Sequence, residues 1–270
     1  MNTKSELLEL FYKSKKKSLK WQKYFPVYEC LLSKYKNKKI TFVEVGILNG
    51  GSLEIWKKYF GKDSRIIGID KNPDCKKFEN ENYEVFIGSQ SDPIFWKNFY
   101  NKVGKVDIIL DDGGHTNDQQ LITLLESLDF IKNGGIHIVE DVHTSYLKRY
   151  GNPSKYSFIN FSKKTIDDIN FTFPKIGSFK NSINKFVYSI EFFESIVAFK
   201  IDRNLCGDNK FIVNSGIDKS IQDVTFSSDF LNFEKKYPFL YKFKFIRKIL
   251  RVYSRILTKR KSKLLKKYFS

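Results

Sequence analysis

Residues 40–60, ITFVEVGILNGGSLEIWKKYF, change character at a group of glycines. The first part, ITFVEVG, is apolar and rich in β-forming residues, whereas the part that begins GGSLEIW has apolar residues at helical spacing. A strand, a glycine turn and a helix in this order are typical of a parallel α/β sheet. The stretch therefore predicts a chain that alternates strands and helices.

The sequence that follows repeats this alternation. Further apolar runs of strand length are RIIGID (65–70), YEVFIG (83–88), VDIIL (106–110) and GGIHIVED (134–141). Strands that are apolar on both faces are typical of a sheet covered by helices on both sides. Residues 186–202, FVYSIEFFESIVAFKID, predict a hairpin. The predicted fold class is α/β, a Rossmann-like doubly wound, mostly parallel seven-stranded sheet with an antiparallel edge hairpin.

Other segments extend this core, which we assign to residues 38–203. Residues 1–37 predict a helical N-terminal cap or lid. Residues 151–185 are polar, aromatic and interrupted by Gly and Pro, which predicts an insertion that covers a substrate site. Residues 204–270 predict a C-terminal extension that ends in a basic helix.

The net charge of +18 is concentrated in this extension. Residues 241–270 contain twelve Lys or Arg and no acidic residue, and Ile246, Ile249, Tyr253 and Ile256 share one predicted helical face. Such a basic amphipathic helix fits peripheral contact with an anionic membrane surface. Packing on the protein's own body or on a sister subunit fits equally well. Binding of nucleic acid is a third interpretation, although no motif that reads bases is present.

Cysteine content and hydropathy predict the compartment. Cys30, Cys75 and Cys206 form no CxxC pair, so we expect neither a disulfide framework nor a thiolate zinc site. No apolar segment of signal-peptide length begins the sequence, and no 18 apolar residues run together. We expect a cytoplasmic protein, which the basic helix could bring to the inner face of the membrane.

Polar residues follow each predicted parallel strand. Because the carboxyl ends of parallel strands meet at one edge, where such sheets bind ligands, we expect these residues to lie along one rim. They are Glu44, Gly46 and Ser52; Asp70; Ser89 and Gln90; Asp111, Asp112 and His115; and Glu140, Asp141 and His143.

The first two strand ends suggest a nucleoside cofactor. Glycines between strand and helix let backbone amides approach a ligand, and an acid such as Asp70 at the next strand end suits a ribose diol. The spacing G-x3-GG is not the GxGxxG of dinucleotide folds, so a plain tight turn is the competing interpretation.

Asp112, Glu140 and Asp141 follow two neighbouring strands and suggest a metal site. Three converging carboxylates repel one another, and an all-oxygen ligand set selects Mg²⁺, Ca²⁺ or Mn²⁺ over zinc. Each acid alone could also be a solvated loop residue or a helix cap. Asp111 should face away from Asp112, which leaves it as a turn residue or a partner of a ligand.

The three histidines have different predicted roles. His115 lies three residues beyond Asp112, across two glycines, and an imidazole there can take a proton near neutral pH. Capping of the following helix is the alternative for His115. His137 reads as a strand residue, whereas His143 is near enough to the acids to orient a ligand or contact substrate.

Six segments in order resemble one protein family. They are KWQKYFPVYE, FVEVGILNGGSLEIWKKYF, IIGIDKNPDC, GSQSDP, VDIILDDGGHTNDQQ and GGIHIVEDVHTSY. Together they resemble the macrocin/mycinamicin-type O-methyltransferases, a group placed beside cephalosporin-hydroxylase-like proteins. These are class I enzymes that use S-adenosylmethionine and Mg²⁺ and act on sugar hydroxyls. The resemblance covers about residues 17–203.

The resemblance implies a role for each of the matching residues. Asp112, Glu140 and Asp141 would be the metal ligands, His115 the catalytic base, and Mn²⁺ could replace Mg²⁺. Many relatives have an acid where this chain has Ser89. For the cofactor, Glu44, Gly46 and Ser52 would hold the methionine part, Asp70 the ribose, and Ser89 with Gln90 the adenine region; His143 and Tyr146 are expected to contact substrate.

The expected function is therefore an S-adenosylmethionine-dependent and divalent-metal-dependent O-methyltransferase that releases S-adenosylhomocysteine. We expect a sugar acceptor, nucleotide-activated or glycan-bound, in capsule or lipopolysaccharide biosynthesis, a homo-oligomer, and no specific nucleic-acid partner. The alternatives are methylation of a non-sugar small molecule of natural-product type, or a metal-dependent hydroxylase. The hydroxylase is disfavoured because its facial triad needs two histidines and one carboxylate.

Overall fold

The computed structural model describes residues 5–151, 154–171, 183–207, 209–210, 212–217 and 236–268. The chain divides into two compact units, residues 1–210 and 211–270. The helices of the first unit are α1 (Glu6–Lys13), α2 (Tyr24–Leu32), α3 (Gly51–Phe60), α4 (Pro93–Val103), α5 (Asn117–Ser127) and α6 (Phe158–Asn170). Its strands are β1 (Thr41–Val45), β2 (Arg65–Asp70), β3 (Tyr83–Ile87), β4 (Val106–Asp111), β5 (Ile131–Val139), β6 (Val187–Phe193) and β7 (Ile196–Ile201).

The seven strands form one sheet in the order β3-β2-β1-β4-β5-β7-β6. Strands β1 to β5 pair in parallel, whereas β7 runs antiparallel to both β5 and β6. This arrangement confirms the predicted sheet and its edge hairpin. The strand order reverses between β1 and β4, and ligands bind open α/β sheets at such a switch point.

Both faces of the sheet are buried, which explains the continuous apolar runs in the sequence. Phe42 and Ile108 belong to the core on one face, and their strand neighbours Val43 and Ile109 belong to the core on the other. All four side chains are fully buried. Because neither face meets water, successive strand residues are apolar instead of alternating with polar ones.

The N-terminal segment predicted as a cap is continuous with this core. Leu7 of α1 is fully buried, and the rings of Tyr28 in α2 and Trp56 in α3 meet edge to face with centroids 5.4 Å apart. The link between α1 and α2 crosses the start of α3, since the carbonyl oxygen of Lys17 lies only 2.8 Å from where a Cβ on Gly51 would stand. Residues 14–23 therefore run beside the glycine turn after β1.

The predicted covering insertion contains a packed helix. In α6, Phe158 and Ser162 are buried, and the Asp168 carboxylate accepts a hydrogen bond from the backbone N–H of Ile183 at 2.8 Å. The helix packs against α5 and β6. Residues 152–153 and 172–182 lie outside the described residues, so a covering role for residues 151–185 stays a prediction.

The second unit contains a short helix, Pro238–Tyr241, and a long helix, Lys244–Leu264. On the long helix Phe245, Ile249, Val252 and Ile256 are exposed and recur at the spacing of one helical face. No helix in the described ranges is long and apolar enough to cross a membrane.

Candidate active site

A cavity of about 500 Å³ lies at the carboxyl ends of the parallel strands. Residues that follow each of the five parallel strands line it, whereas four members of the predicted rim do not: Glu44, Ser52, Asp111 and His143. We call the loops after β1, β2 and β3 the β1–β3 half, and the loops after β4 and β5 the β4–β5 half. The lining includes Gly46, Asp70, Ser89 and Gln90 in the first half, Asp112, His115, Glu140 and Asp141 in the second, and Lys20, Trp21 and Tyr24 from the N-terminal segment.

Asp70 organises the glycine turn in the β1–β3 half. Its Oδ2 accepts hydrogen bonds from the backbone N–H groups of Ile47 and Leu48, each at 3.1 Å. Its Oδ1 accepts another from Asn72 at 2.9 Å. The carboxylate therefore fixes the loop while still lining the cavity, and its contact with a ribose stays a prediction.

Glu44 and Ser52 lie behind the cavity wall. Both are buried, and the Ser52 hydroxyl donates to Glu44 Oε2 at 2.5 Å while Trp56 Nε1 donates to Oε1 at 3.1 Å. Burial raises the pKa of the Glu44 carboxyl, although Lys20 and these donors oppose the shift. In this structure the pair anchors α3 to β1. The methionine contact predicted for these two residues stays a prediction.

Gly46 lies at a close contact between the two halves. Its φ of +85° is unfavourable for residues with a side chain, and a Cβ there would stand 2.2 Å from the backbone oxygen of Asp112. Only glycine lets the loop after β1 lie against the loop after β4.

Gln90 and Asp111 form a buried crosslink beneath the glycine bend. Gln90 Nε2 donates to Asp111 Oδ1 at 2.9 Å, and Gln90 Oε1 accepts from the N–H of Gly114 at 2.8 Å. Asp111 Oδ1 also accepts from Gly113 at 3.2 Å. Burial raises the pKa of Asp111 to about 7. The crosslink gives Asp111 a role: it holds the bend from below, so that the next side chains can face the cavity.

Ser89, next to Gln90, is the less engaged of the two residues predicted near adenine. Its Oγ lies 3.0 Å from the Oγ of Ser91. Both Ser89 and Gln90 line the cavity, and their contact with adenine stays a prediction.

Asp112, His115 and Asp141 converge in the β4–β5 half. His115 Nε2 lies 3.4 Å from Asp141 Oδ2 and 4.0 Å from Asp112 Oδ1. One ligand atom from each of the three residues lies within 4.8 Å of the others. His115 and Asp141 adopt φ values of 58° and 54°, an uncommon conformation outside glycine. The two carboxylate oxygens fit a divalent cation such as Mg²⁺ or Mn²⁺, whereas the imidazole nitrogen is a ligand that zinc, iron or nickel takes more readily.

The N-terminal segment holds the other oxygen of each aspartate. Lys20 Nζ donates to Asp112 Oδ2 at 2.6 Å. Tyr24 Oη and Trp21 Nε1 donate to Asp141 Oδ1 at 2.5 and 3.1 Å. Each carboxylate is thus fixed by one oxygen and presents the other towards His115.

Glu140 has a different environment from the other two predicted metal ligands. It is fully buried and accepts hydrogen bonds from Tyr28 Oη at 2.5 Å and from Lys20 Nζ at 3.1 Å. The structure therefore groups Asp112 and Asp141 with His115 and places Glu140 beside Lys20. Whether Glu140 is a ligand stays a prediction.

Neither of the remaining histidines belongs to this group, although His143 Nδ1 lies 3.8 Å from Asp141 Oδ1. His137 lies in β5 as predicted, 2.9 Å from the Ser127 hydroxyl, and burial lowers its pKa to about 3. His143 Nδ1 lies 2.6 Å from Ser195 Oγ. Tyr146 is exposed and lines a second hollow together with His143, so substrate contact by either residue stays a prediction.

Sequence reasoning missed the donors that hold the acids. Lys20, Tyr24 and Tyr28 all lie in KWQKYFPVYE, and their spacing of four residues indicates one helical face. That pattern could have shown that the three side chains point in one direction. It could not have shown which strand ends they contact. Ser195, in the turn between β6 and β7, has no local signal at all.

The fold is the Rossmann-like α/β fold of a solved methyltransferase. The chain superposes on the MycE methyltransferase from the mycinamycin biosynthetic pathway, in complex with Mg, SAH and mycinamycin VI, with a TM-score of 0.66. The two are 23% identical, and the match covers 79% of this chain and 57% of that one. Crystal form 1 of MycE with Mg and SAH gives a TM-score of 0.65, again at 23% identity, over 80% of this chain and 58% of that one.

Curated relatives confirm the resemblance to macrocin/mycinamicin-type O-methyltransferases, although no family model matches. The chain is 29% identical to demethylmacrocin O-methyltransferase from Streptomyces fradiae, over 56% of this chain and 39% of that protein. It is 27% identical to mycinamicin VI 2''-O-methyltransferase from Micromonospora griseorubida, over 54% and 38%. It is 28% identical to 8-demethyl-8-(2-methoxy-alpha-L-rhamnosyl)-tetracenomycin-C 3'-O-methyltransferase from Streptomyces olivaceus, over 56% and 41%. The chain spans about two fifths of the length of these relatives.

Proposed function

We propose that the chain is an S-adenosylmethionine-dependent, divalent-metal-dependent O-methyltransferase that modifies a sugar hydroxyl of a glycosylated small molecule. The observation that carries the proposal is the group formed by Asp112, His115 and Asp141 at the cavity. The names of the relatives refer to glycosylated natural products, which favours that acceptor class over capsule or lipopolysaccharide sugars.

In this proposal the two halves of the rim bind different ligands. The β1–β3 half, with Gly46, Asp70 and Ser89, would hold the nucleoside part of the cofactor. Asp112 and Asp141 would hold the cation, with His115 or Glu140 beside them. When bound, S-adenosylmethionine would supply an electrophilic methyl group, and the cation would lower the pKa of the acceptor hydroxyl and orient it.

His115 is the residue that we assign to proton transfer. Its Nε2 faces the cavity and would accept the proton of the acceptor hydroxyl. Asp141 Oδ2, 3.4 Å away, would stabilise the imidazolium that forms. The other ring nitrogen of His115, Nδ1, is buried and has no hydrogen-bond partner among the described residues. The bend that places this ring depends on the buried crosslink of Gln90 and Asp111.

The direct test is a methylation assay with a panel of acceptors. The protein is incubated with S-adenosylmethionine, Mg²⁺ and, separately, a glycosylated polyketide, a nucleotide sugar and a sugar-free phenol, and products are analysed by mass spectrometry. We expect a methyl-sized mass gain on the glycoside, abolished by a chelator. Transfer that resists the chelator, or a gain only on the phenol, would contradict the proposal.

A second hollow indicates where the non-sugar part of such an acceptor would lie. It encloses about 440 Å³ next to His143 and is lined mainly by apolar side chains, including Ile159, Ile166, Phe192 and Phe193. Ser195, which also lines it, hydrogen-bonds His143 and Tyr24 and so joins the hollow to the cavity wall. An apolar surface beside a polar site suits a substrate with a sugar on an apolar body.

Substitution of a residue that lines the hollow tests this assignment. Phe192→Asp should raise KM for the glycoside about tenfold, because apolar contact with the aglycone is lost, and should leave KM for the free sugar unchanged. Tyr188→Asp is the control, since Tyr188 lies on the same strand with similar exposure but does not line the hollow. An equal KM change for both acceptors would remove the hollow from substrate binding.

The basic helix of the second unit supports peripheral contact with an anionic membrane, which we propose as its role. Phe245, Ile249, Val252 and Ile256 would enter the interface while the lysines and arginines meet acidic headgroups. Co-sedimentation with phosphatidylglycerol vesicles, compared with phosphatidylcholine vesicles, tests it. Binding to neither vesicle, or preferential binding to RNA in the same assay, would contradict it. A cytoplasmic location and a homo-oligomer stay predictions.

A further inference from the structure

Trp21 is an exposed aromatic residue at the mouth of the cavity. It lies in the link between α1 and α2 and lines the cavity. The residue is 60% exposed, whereas Trp56 and Trp96, the other two tryptophans of the sequence, are 2% and 0% exposed. An indole carries a large apolar surface, and aromatic side chains are typical of the walls of ligand sites. The open surface of Trp21 therefore suggests a ligand that covers it.

Two contacts fix the orientation of this indole. Nε1 of Trp21 donates a hydrogen bond to Asp141 Oδ1 at 3.1 Å. The ring also meets the imidazole of His143 at an interplanar angle of 88°, with centroids 6.2 Å apart. A ring that is already held in place loses little rotamer entropy when a ligand covers it. The exposed surface of Trp21 is thus preorganised for binding.

The indole lies between the candidate base and the apolar hollow. Asp141, which accepts the hydrogen bond from Trp21, presents its Oδ2 3.4 Å from His115 Nε2. His143, which the indole also contacts, lines the hollow. An acceptor with its reacting hydroxyl at His115 and its apolar body in the hollow would therefore have its sugar ring beside Trp21.

We propose that Trp21 is the sugar-binding surface of the acceptor site, on which a pyranose ring packs by its face of C–H groups. This inference rests on the proposed function, because the sugar would be the acceptor. A pyranose carries most of its hydroxyls at the edge of the ring and C–H groups on its faces, and a flat aromatic ring is complementary to such a face. Packing of this kind fixes the plane of the sugar and leaves the edge hydroxyls free. Trp21 would thereby orient the reacting hydroxyl towards His115.

Acrylamide quenching of fluorescence tests this contact in the wild-type protein. Because Trp56 and Trp96 are buried, Trp21 supplies the emission that the quencher can reach. The probes are the methyl glycosides of glucose, galactose, mannose and rhamnose, with Mg²⁺ and S-adenosylhomocysteine present throughout. We expect at least one glycoside to lower the quenching constant about twofold, because one of the two faces of the ring is covered.

The controls for quenching are glycerol and the cofactor product. Glycerol has hydroxyls but no ring face, and S-adenosylhomocysteine alone tests whether the cofactor covers the indole. Neither should lower the quenching constant. Protection by none of the glycosides, equal protection by glycerol, or full protection by S-adenosylhomocysteine alone would overturn the inference.

Two variants separate the aromatic face of Trp21 from its N–H group. Trp21→Phe keeps a ring and loses the donor to Asp141, whereas Trp21→Leu loses both. We expect KM for the glycoside to rise about tenfold in Trp21→Leu and about threefold or less in Trp21→Phe, with KM for S-adenosylmethionine unchanged. Tyr156→Leu is the matched control, because Tyr156 is 81% exposed but lines neither the cavity nor the hollow. Equal KM changes in both Trp21 variants would reduce the role of Trp21 to its hydrogen bond and reject the sugar contact.

Binding and transfer are measured separately, so this inference and the proposed function can fail independently. Protection of Trp21 by a glycoside without methyl transfer would support the sugar-binding surface and contradict the proposed activity. Methyl transfer to a glycoside that leaves Trp21 open to the quencher would reject only the role of Trp21.

Discussion

The carboxylates in the two halves of the rim accept hydrogen bonds from different parts of the chain. In the β1–β3 half, Asp70 accepts hydrogen bonds from the backbone of the preceding turn, and Glu44 accepts one from Ser52, eight residues further on. In the β4–β5 half, Asp112 and Asp141 receive hydrogen bonds from the N-terminal segment, which is 92 to 120 residues distant along the chain. The acids of the first half accept hydrogen bonds mainly from nearby residues, whereas Asp112 and Asp141 of the second half accept theirs from the N-terminal segment.

This difference suggests which part of the site is sensitive to remote changes. Substitutions of Trp21 or Tyr24, whose side chains donate to Asp141, should affect the β4–β5 half and leave the glycine turn of the β1–β3 half intact. Cofactor binding and metal binding can then be separated experimentally, and the following variants test that separation in order of expected effect.

Substitution of His115 should produce the largest loss of turnover. We expect His115→Asn to lower turnover by about 10² to 10⁴, because no imidazole remains to accept the proton. Asparagine is chosen because it tolerates the positive φ of this position better than other side chains. Turnover is measured at saturating cofactor, glycoside and Mg²⁺.

Binding assays on the same variant separate two roles for His115. If the imidazole acts only as the base, the Mn²⁺ affinity of His115→Asn stays near that of the wild-type protein. A parallel loss of Mn²⁺ binding would identify the imidazole as a ligand instead. Wild-type turnover in the folded variant would exclude both roles.

Gly46→Ala should disturb both halves at once. The new Cβ would meet the backbone oxygen of Asp112, and the positive φ adds strain, so we expect a loss of about 3 kcal/mol of unfolding free energy. Urea denaturation measures the loss. Gly134→Ala is the control, because its φ is also positive but no atom lies within 4 Å of the added Cβ. Equal losses in the two variants would mean that backbone strain alone, not the contact between the halves, decides the effect.

Tyr24→Phe should weaken only the β4–β5 half. The change removes the hydroxyl that contacts Asp141 and Ser195 and keeps the ring, so we expect Mn²⁺ affinity to fall about 10- to 100-fold. S-adenosylhomocysteine affinity, measured by calorimetry, should not change. Tyr12→Phe serves as control because Tyr12 is 74% exposed. Loss of cofactor affinity in Tyr24→Phe would show that the halves are coupled.

His137→Phe should give the smallest effect and lies outside both halves. The pKa of His137 is about 3 in the folded protein and about 6.5 when unfolded, so the unfolded chain takes up the proton first as pH falls. The neutral ring's stabilisation is complete above about pH 6.5 and decreases towards pH 3. Between pH 7 and 5.5 the unfolding free energy of the wild-type protein should fall by about 1 kcal/mol more than that of the variant. Parallel urea-stability curves for the two proteins would contradict this.

The sequence predicted the sheet well because its signals are local and repeated. Each parallel strand is a short apolar run followed by a polar residue, so the rim with Asp70, Asp112 and Asp141 follows from the pattern. The same pattern could not show that Glu44 lies behind the cavity wall, where it accepts hydrogen bonds from Ser52 and Trp56. Nor could it show Lys20 beside Asp112, since the pairing of distant segments is not encoded in spacing.

Most of the uncommon backbone conformations in the described residues collect at this site. Leu48, His115, Asp141 and Ser195 have positive φ, and among the described non-glycine residues only Asn37 elsewhere shares this feature. Glycine or asparagine at such positions relieves the strain of a positive φ, so a laboratory screen for heat-resistant variants should enrich them there. Such a screen would select a more stable protein that has lost the site. Libraries built on this chain should therefore keep these four codons fixed and vary the sequence elsewhere.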